Sequence, residues 1–441
     1  MKLAVVGTGY VGLVSGVCFA ELGFDVTCID NNPDKLTQLR AGICPIYEPG
    51  LAELMAKNAS RLRYTDDLPA AVAAADVVMI AVGTPPDPTE AGKADLRYVF
   101  GVAEEIAPHL NGFTVVITKS TVPPGTNRKV AERIAQAGAA AEFAVASNPE
   151  FLREGSAIGD FMQPDRIVCG AEDARAKAVL EALYAPLTTQ GYPLLLTGLE
   201  TAEMIKYSAN TFLATKIAFI NEMADIAEQV GADIELVAKG MGMDARIGER
   251  FLRPGPGFGG SCFPKDAQAL ARLADAAGVY PEITNTVVKY NLARREGMAQ
   301  RVVDACGGSV AGKRIAVLGL TFKANTDDMR ESAALSIIPQ LVEQGAEVMA
   351  YDPEGMDNAK PLLPESVNYA SGVMEALEGA DCVCIVTEWD AFRALDLPAA
   401  KAAMVQPLMV DLRNLFIPAE MAAQGWHYHS IGRKPSILPS T

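Results

Sequence analysis

The segment GFGGSCFPKD, residues 257–266, sets a cysteine directly after Gly-Gly-Ser and an aspartate four residues further on. Cys262 could act as a nucleophile. A helix expected over 265–274 would begin just beyond it, and a helix N-terminus together with Lys265 favours the thiolate. Gly259 and Gly260 would let backbone come close to a ligand. On this segment alone a second reading stands beside the first, a loop cysteine with glycines for turning. Lys206 and Asn210 lie four apart on one face of a helical stretch. Their neighbours are mostly apolar, which points to a partly desolvated ammonium. The competing reading is a lysine reaching solvent from the helix end. Glu150 follows Asn148-Pro149 at the end of an expected strand, with Glu154 four residues later. Sites of α/β proteins gather at such strand ends, although either carboxylate could instead sit at a helix N-terminus.

Acid–base work falls to lysines and carboxylates, because the chain has only three histidines, His109, His427 and His429. His109 stands in a Pro-His-Leu turn and the other two in the alternating GWHYHS, so neither a Cys-His pair nor a Ser-His-Asp triad is well supplied. No metal site is expected. Cys382-Val383-Cys384 lacks a second cysteine pair or a neighbouring histidine. Cys18, Cys28, Cys169, Cys382 and Cys384 lie in apolar helix or strand patterns and read as buried thiols. Cys44 and Cys306, in loops beside Pro or Gly, stay undecided.

The elements that position these residues begin with a β-α-β unit. LAVV runs into Gly7-Thr8-Gly9-Tyr10-Val11-Gly12, a helical pattern follows to Leu22, and Asp30 closes the strand FDVTCID. This is GxGxxG in its proper context. The glycines allow a tight turn, close approach of a pyrophosphate and close helix–strand packing, and Asp30 would accept from ribose hydroxyls. Asp30 followed by Asn31 and Asn32, with no arginine, favours NAD over NADP. Apolar runs at 75–83, 113–121 and 142–150 continue the alternation, so a parallel sheet covered on both faces is expected.

The pattern then changes. Residues 200–230 contain no Gly or Pro and predict one long helix, with more helical sequence to about 306. GGSVAGK, 307–313, reads as a linker. Beyond it, runs at 313–322, 345–353, 379–388 and 407–414 echo the first domain and predict a second doubly wound domain. Its turn, Gly319-Leu320-Thr321-Phe322-Lys323, keeps one glycine, so a second NAD is not expected there. Lys323 could serve a phosphate or simply be solvated. The expected organisation is a Rossmann-like domain over 1–199, a central helical region over 200–306 carrying Cys262, and a Rossmann-like domain over 307–441.

Composition agrees with an ordinary globular protein. The 441 residues are half hydrophobic and suit two or three domains. A formal charge of −16 argues against general nucleic-acid binding, while leaving room for a local anion site. Met1-Lys2 runs straight into a strand pattern rather than a signal peptide, and no run of 18 apolar residues is present. With cysteines scattered through apolar elements, a cytoplasmic location without membrane partners is expected.

Taken together, GTGYVGLVSG, AVGTPP, KSTVPPGT, SNPEFLREGSA, PDRIVCG, KYSANTFLATKIAFINE, GMDARIG, PGFGGSCFPKD and GLTFKANTDDMRES, in that order, resemble the UDP-glucose 6-dehydrogenase family within the nucleotide-sugar 6-dehydrogenases. The resemblance covers nearly the whole chain. It implies oxidation of the C6 alcohol of UDP-glucose to a carboxylate with two NAD and one water, in a homodimer. It implies Cys262 as nucleophile and Lys206 with Asn210 as stabilisers of the developing oxyanion. It also implies Asp266 working with lysine as base, Glu150 in thioester hydrolysis and Thr121 holding water. NAD contacts map to Gly7, Gly9, Val11, Gly12, Asp30, Lys35, Thr84, Thr121, Glu154, Lys265 and Arg330. Substrate contacts map to Phe151, Leu152, Arg153, Glu154, Lys206, Asn210, Phe251, Leu252, Arg253, Pro254, Gly255, Gly259, Lys323 and Arg413, with Arg246 reaching the partner subunit's sugar site. The alternatives are a sister enzyme for GDP-mannose or a UDP-N-acetylhexosamine, a two-electron alcohol dehydrogenase, and a non-catalytic NAD sensor.

Overall fold

The structure, a computed structural model, describes residues 1–90, 92–139 and 141–436. The chain divides into two compact units, Met1–Ala209 and Asn210–Thr441.

The first unit is built on eight strands, β1 (Lys2–Val6), β2 (Asp25–Ile29), β3 (Leu62–Thr65), β4 (Val77–Ile80), β5 (Thr114–Thr118), β6 (Phe143–Ser147), β7 (Ile167–Ala171) and β8 (Leu194–Thr197). They lie in the order 3-2-1-4-5-6-7-8. The first six give the doubly wound order with its reversal between β1 and β4. Side chains alternate across the sheet as strand geometry requires. Leu3, Val5, Val77 and Met79 enter the core on one face, and Ala4, Val6, Val78 and Ile80 the core on the other. Burial on both faces explains why these strands read as continuous apolar runs.

One pairing departs from the expected parallel sheet. β6 and β7 run antiparallel, with Ala146 opposite Ala171 and Ser147 opposite Gly170. The connection between them holds only the six-residue helix Ala157–Met162. The strands β3, β7 and β8 were not among the apolar runs picked out above.

The second unit carries β9 (Arg314–Leu318), β10 (Glu347–Tyr351), β11 (Asn368–Tyr369), β12 (Cys382–Ile385), β13 (Leu408–Asp411) and β14 (His427–Ser430), in the order 11-10-9-12-13-14. The same order recurs, and every pair is parallel. The long helix Leu199–Val230 matches the uninterrupted stretch of the sequence and runs across the boundary of the units. Within the second unit its residues Ile220 and Ala224 enter the same core as Val302 of the helix Glu282–Ala305 and Ile315 of β9.

Candidate functional site

In the first unit the glycine fingerprint has the shape its chemistry requires. Gly7 has φ +98°, and a Cβ there would stand 2.9 Å from the Ala81 carbonyl oxygen. A Cβ on Gly12 would stand 1.9 Å from the Gly7 carbonyl oxygen, so the helix Tyr10–Glu21 packs onto the turn only without a side chain. Gly9 is different. It caps that helix with no side-chain acceptor, and a Cβ on it would meet nothing within 4 Å. Open space at a helix N-terminus suits a pyrophosphate. Val11 follows in the first turn. Asp30, at the end of β2, accepts from the Thr8 amide at 2.9 Å, the Thr8 hydroxyl at 2.5 Å and the Asn32 amide at 3.0 Å, with Lys35 Nζ at 3.4 Å. Burial opposes its charge, but the Thr8 and Asn32 hydrogen bonds and Lys35 outweigh it and hold the carboxyl below its ordinary value. These residues fit a dinucleotide.

Loops after the neighbouring strands complete this end of the sheet. The Thr84 hydroxyl donates to the Thr121 carbonyl at 3.0 Å. Glu150 and Lys206 form a buried ion pair at 3.2 Å, with side chains 5 % and 4 % exposed. This is the desolvation expected of Lys206. The Glu150 carboxylate also accepts from the Leu152 amide. The Phe151 ring lies 5.2 Å from Lys206 Nζ and 3.7 Å from the Arg166 guanidinium carbon. Arg153 pairs with Asp160, and half-buried Glu154 sits in the turn that follows. Sequence reasoning missed Glu48. It accepts from the Tyr10 hydroxyl and from the amides of Gly155 and Ala157, tying the fingerprint helix to the Phe151–Ala157 loop. A glutamate in a Pro-flanked loop gave no periodic signal. Lys119 and Asn148 were visible only inside longer motifs.

In the second unit Cys262 caps the helix Phe263–Ala276, which begins two residues earlier than expected. Its thiol is partly exposed and lies 3.5 Å from the Ser261 hydroxyl. Asp266, one turn on, is fully buried. Its carboxylate is clamped between Asn210 Nδ2 and Lys265 Nζ, each at 2.7 Å. The glycines before Cys262 are required by the chain's own packing. The space a Cβ would take at Gly259 holds the Glu331 carbonyl oxygen, at 2.3 Å, and at Gly260 the Phe322 ring, at 2.7 Å. The close approach is made by the chain's own backbone and ring. Gly260 also donates to the Arg330 carbonyl at 2.8 Å, while the Arg330 guanidinium pairs with Asp328.

The loop FLRPGPG is held from behind. Asn221 accepts from the Gly255 amide at 2.8 Å, Arg294 donates to the Gly255 carbonyl at 2.7 Å, and Asn291 exchanges two bonds with the Phe258 backbone. None of these three was predicted. Asn221 lies eleven residues, close to three full turns, beyond Asn210 on the same helix face. Phe251 takes φ +66°, rare for an aromatic residue and a sign of local strain. Leu252 and Pro254 are buried, and Arg253 is exposed. Arg413 lies against Gly255, donates to the carbonyls of Val386 and Phe322, and pairs with Glu388 at 3.0 Å. Lys323 stands 5.4 Å from the Phe322 ring centroid. Arg246 is the outlier. It is exposed and paired with Asp244 of its own turn.

The second fingerprint-like turn is filled from within. Asp352, the counterpart of Asp30 at the end of β10, is fully buried. It accepts from the amides of Leu320, Thr321 and Gly355 and from the Trp389 indole. No acceptor face is left for a ribose.

Of the eight cysteines, the five expected to be buried are so, Cys306 joins them, and Cys44 and Cys262 are partly exposed. Among the described residues no helix is long and apolar enough to cross a membrane.

Models of the UDP-glucose/GDP-mannose dehydrogenase family match in three parts, its NAD-binding domain over residues 1–188, its central domain over 200–293 and its UDP-binding domain over 316–418. A UDP-glucose 6-dehydrogenase of Rhizobium meliloti is 52 % identical over 98 % of this chain and 100 % of its own. One of Bacillus subtilis is 49 % identical over 98 % and 93 %. Among solved structures, a UDP-glucose dehydrogenase of Pyrobaculum islandicum shares 41 % identity at a TM-score of 0.87, covering 93 % of this chain and 94 % of that one.

Proposed function

The chain belongs to the UDP-glucose/GDP-mannose dehydrogenase family, and on that premise we propose that it oxidises UDP-glucose to UDP-glucuronate with two NAD and one water. The observation that carries the reading is the thiol of Cys262, partly exposed at a helix N-terminus one turn before a buried aspartate held by Asn210 and Lys265.

NAD, when bound, accepts a hydride from C6 of the sugar in each of two oxidations. Gly7, Gly9, Gly12 and Asp30 hold it. Lys206 and Asn210 donate to the C6 oxygen as it gains charge. The first oxidation removes a hydride and a proton and leaves an aldehyde. Cys262 sulfur adds to that carbon, its oxygen takes a proton, and the aldehyde is retained as a thiohemiacetal. Loss of the second hydride and the hydroxyl proton gives a thioester. Water cleaves the C–S bond, restores the thiol and releases the carboxylate. Asp266 takes part in the first proton removal, and Glu150 with Thr121 serves the attacking water. Arg413 and Lys323 offer charge to the diphosphate, with Phe251–Gly255 and Gly259 beside the sugar nucleotide.

The proposal keeps the three-part organisation 1–199, 200–306 and 307–441. It includes a homodimer. Phe212, Phe219 and Ile226 stand exposed at seven-residue intervals on the long helix, an apolar stripe suited to a second copy. Arg246, free of the core, is then available to the partner's sugar site. The proposal includes a cytoplasmic location, supported by the eight free cysteines and the nucleotide substrates.

The test is NADH stoichiometry with purified protein. Two NADH per UDP-glucose are expected. A ratio of one would remove the covalent step. A clear preference for GDP-mannose or a UDP-N-acetylhexosamine would move the chain to the sister branch, and NAD binding without NADH would leave a sensor.

A further inference from the structure

Gly255 lies buried within the loop FLRPGPG, and side chains take both of its backbone polar groups. Its amide donates to Asn221 Oδ1 at 2.8 Å, and its carbonyl accepts from Arg294 Nε at 2.7 Å. Asn221 belongs to the long helix Leu199–Val230 and Arg294 to the helix Glu282–Ala305. Loop backbone ordinarily meets water with these groups, and buried backbone must find partners. Here two helices supply them.

The guanidinium that makes this bond is anchored in turn. The Arg294 side chain is 2 % exposed, and its Nη1 donates to both carboxylate oxygens of Asp225 at 2.9 Å and to the Asn221 carbonyl at 3.3 Å. Asp225 and Asn221 both stand on the long helix, so Arg294 spans from that helix to the loop. A rigid fork of donors can face the carboxylate and the carbonyl together, which a single ammonium cannot.

The other side of Gly255 faces a residue proposed above to meet the diphosphate. A Cβ on Gly255 would stand 3.3 Å from Arg413 Nη1, so Arg413 rests against this glycine. Phe251, at the start of the same loop, keeps its φ of +66°, a strained conformation that persists only where the surroundings over-determine it. The long helix also carries Asn210, which donates to Asp266. From Asn210 to Asn221 the helix advances about 16 Å.

We propose that Arg294 is a positioning residue for the sugar nucleotide. With Asn221 it fixes Gly255, and with Gly255 the seat of Arg413, at a set distance along the helix from Asn210. The inference rests on the functional reading above, which places UDP-glucose on this loop. The glycine fingerprint and Asp30 lie in the first unit and have no part in the device. Without Arg294 the loop is looser in the free enzyme, and the substrate must order it on binding. That cost falls on KM for UDP-glucose and not on the rate of the bound complex.

The experiment is steady-state kinetics of wild type, Arg294→Met and Arg294→Lys, varying each substrate at saturation of the other. Arg294→Met is expected to raise KM for UDP-glucose about tenfold, as for loss of one hydrogen bond from a charged donor. KM for NAD and kcat are expected to stay within about twofold of wild type. Arg294→Lys keeps one donor and is expected to recover part of the loss, with a rise of about threefold. Calorimetric titration with UDP-glucose should show the same ratios. A folded Arg294→Met with the wild-type KM for UDP-glucose overturns the inference and leaves the function intact. So does an equal loss on both substrates, which marks a structural role alone. Absence of NADH from wild type overturns the functional reading and the inference with it. If Arg294→Met does not fold, Asp225→Asn makes the comparison by weakening the anchor of the guanidinium. A rise of about threefold in the same KM is then expected, and an unchanged KM overturns the inference.

Discussion

Asn210 Nδ2 donates to the buried carboxylate of Asp266 at 2.7 Å, joining two residues fifty-six positions apart in the sequence. Asp266 is fully buried and also accepts from Lys265 Nζ. Asn210→Ala therefore leaves a buried carboxylate short of a donor as well as removing a donor near the reacting oxygen. The expected result is a loss of about 1–3 kcal/mol in stability and about 10²-fold or more in kcat. Denaturant melts and steady-state kinetics of the variant, taken with Asp266→Asn in a double-mutant cycle, check the coupling. Additive effects would mean that the pair does not act as a unit.

Cys262→Ala is expected to fold as wild type, since the thiol is partly exposed and fills no core. Turnover to UDP-glucuronate should fall by about 10³-fold or more. Coupled NADH and product assays decide it, and full turnover in the variant would exclude a thioester route.

Two glycines of one fingerprint should fail in different ways. Gly12→Ala places a Cβ 1.9 Å from the Gly7 carbonyl oxygen, so thermal stability should drop together with NAD binding. Gly9→Ala meets no protein atom within 4 Å, and its φ of −69° suits alanine. Its melting temperature should match wild type while NAD affinity falls by about tenfold or more, because the methyl occupies the approach of the pyrophosphate. Calorimetric titration with NAD, run beside thermal melts, separates the two. Unchanged NAD affinity in Gly9→Ala would place the cofactor elsewhere.

Lys119, buried and donating to Asn148 Oδ1 at 3.1 Å, carries a stability prediction. Its folded value, about 8, lies below the ordinary lysine value of 10.5. Between these values the unfolded chain holds a proton that the folded chain has lost, so stability rises with pH through that window and the burial cost is full below it. Lys119→Met removes the cost. At pH 7 it should be as stable as wild type or more so, by on the order of 1 kcal/mol after loss of the Asn148 bond. Melts at pH 7 and pH 9.5 should show the advantage shrinking as pH rises. A variant destabilised at both would make the lysine a structural anchor.

Much of this arrangement was legible in the chain. The fingerprint, Asp30, the long helix and the second strand set announce themselves because local sterics and periodicity write them into neighbouring residues. The antiparallel β7 was not legible, since an apolar strand pattern is the same in either direction and the pairing is made between distant residues. The strap of Asn221, Asn291 and Arg294 behind the substrate loop was not legible either. Polar residues on buried helix faces carry no local sign of the backbone they will meet.

By itself the sequence determined the doubly wound class, the NAD fingerprint and the candidacy of Cys262, Lys206, Asn210 and Glu150, because each rests on residue type and short spacing. Only the tertiary structure decided which groups share a charge environment. It joined Asn210 to Asp266 and Glu150 to Lys206, set the buried Lys119 against Asn148, and packed the glycines before Cys262 against the protein's own Glu331 and Phe322. Those outcomes depend on strand register and loop packing over long sequence separations, and desolvation exists only once the core has closed.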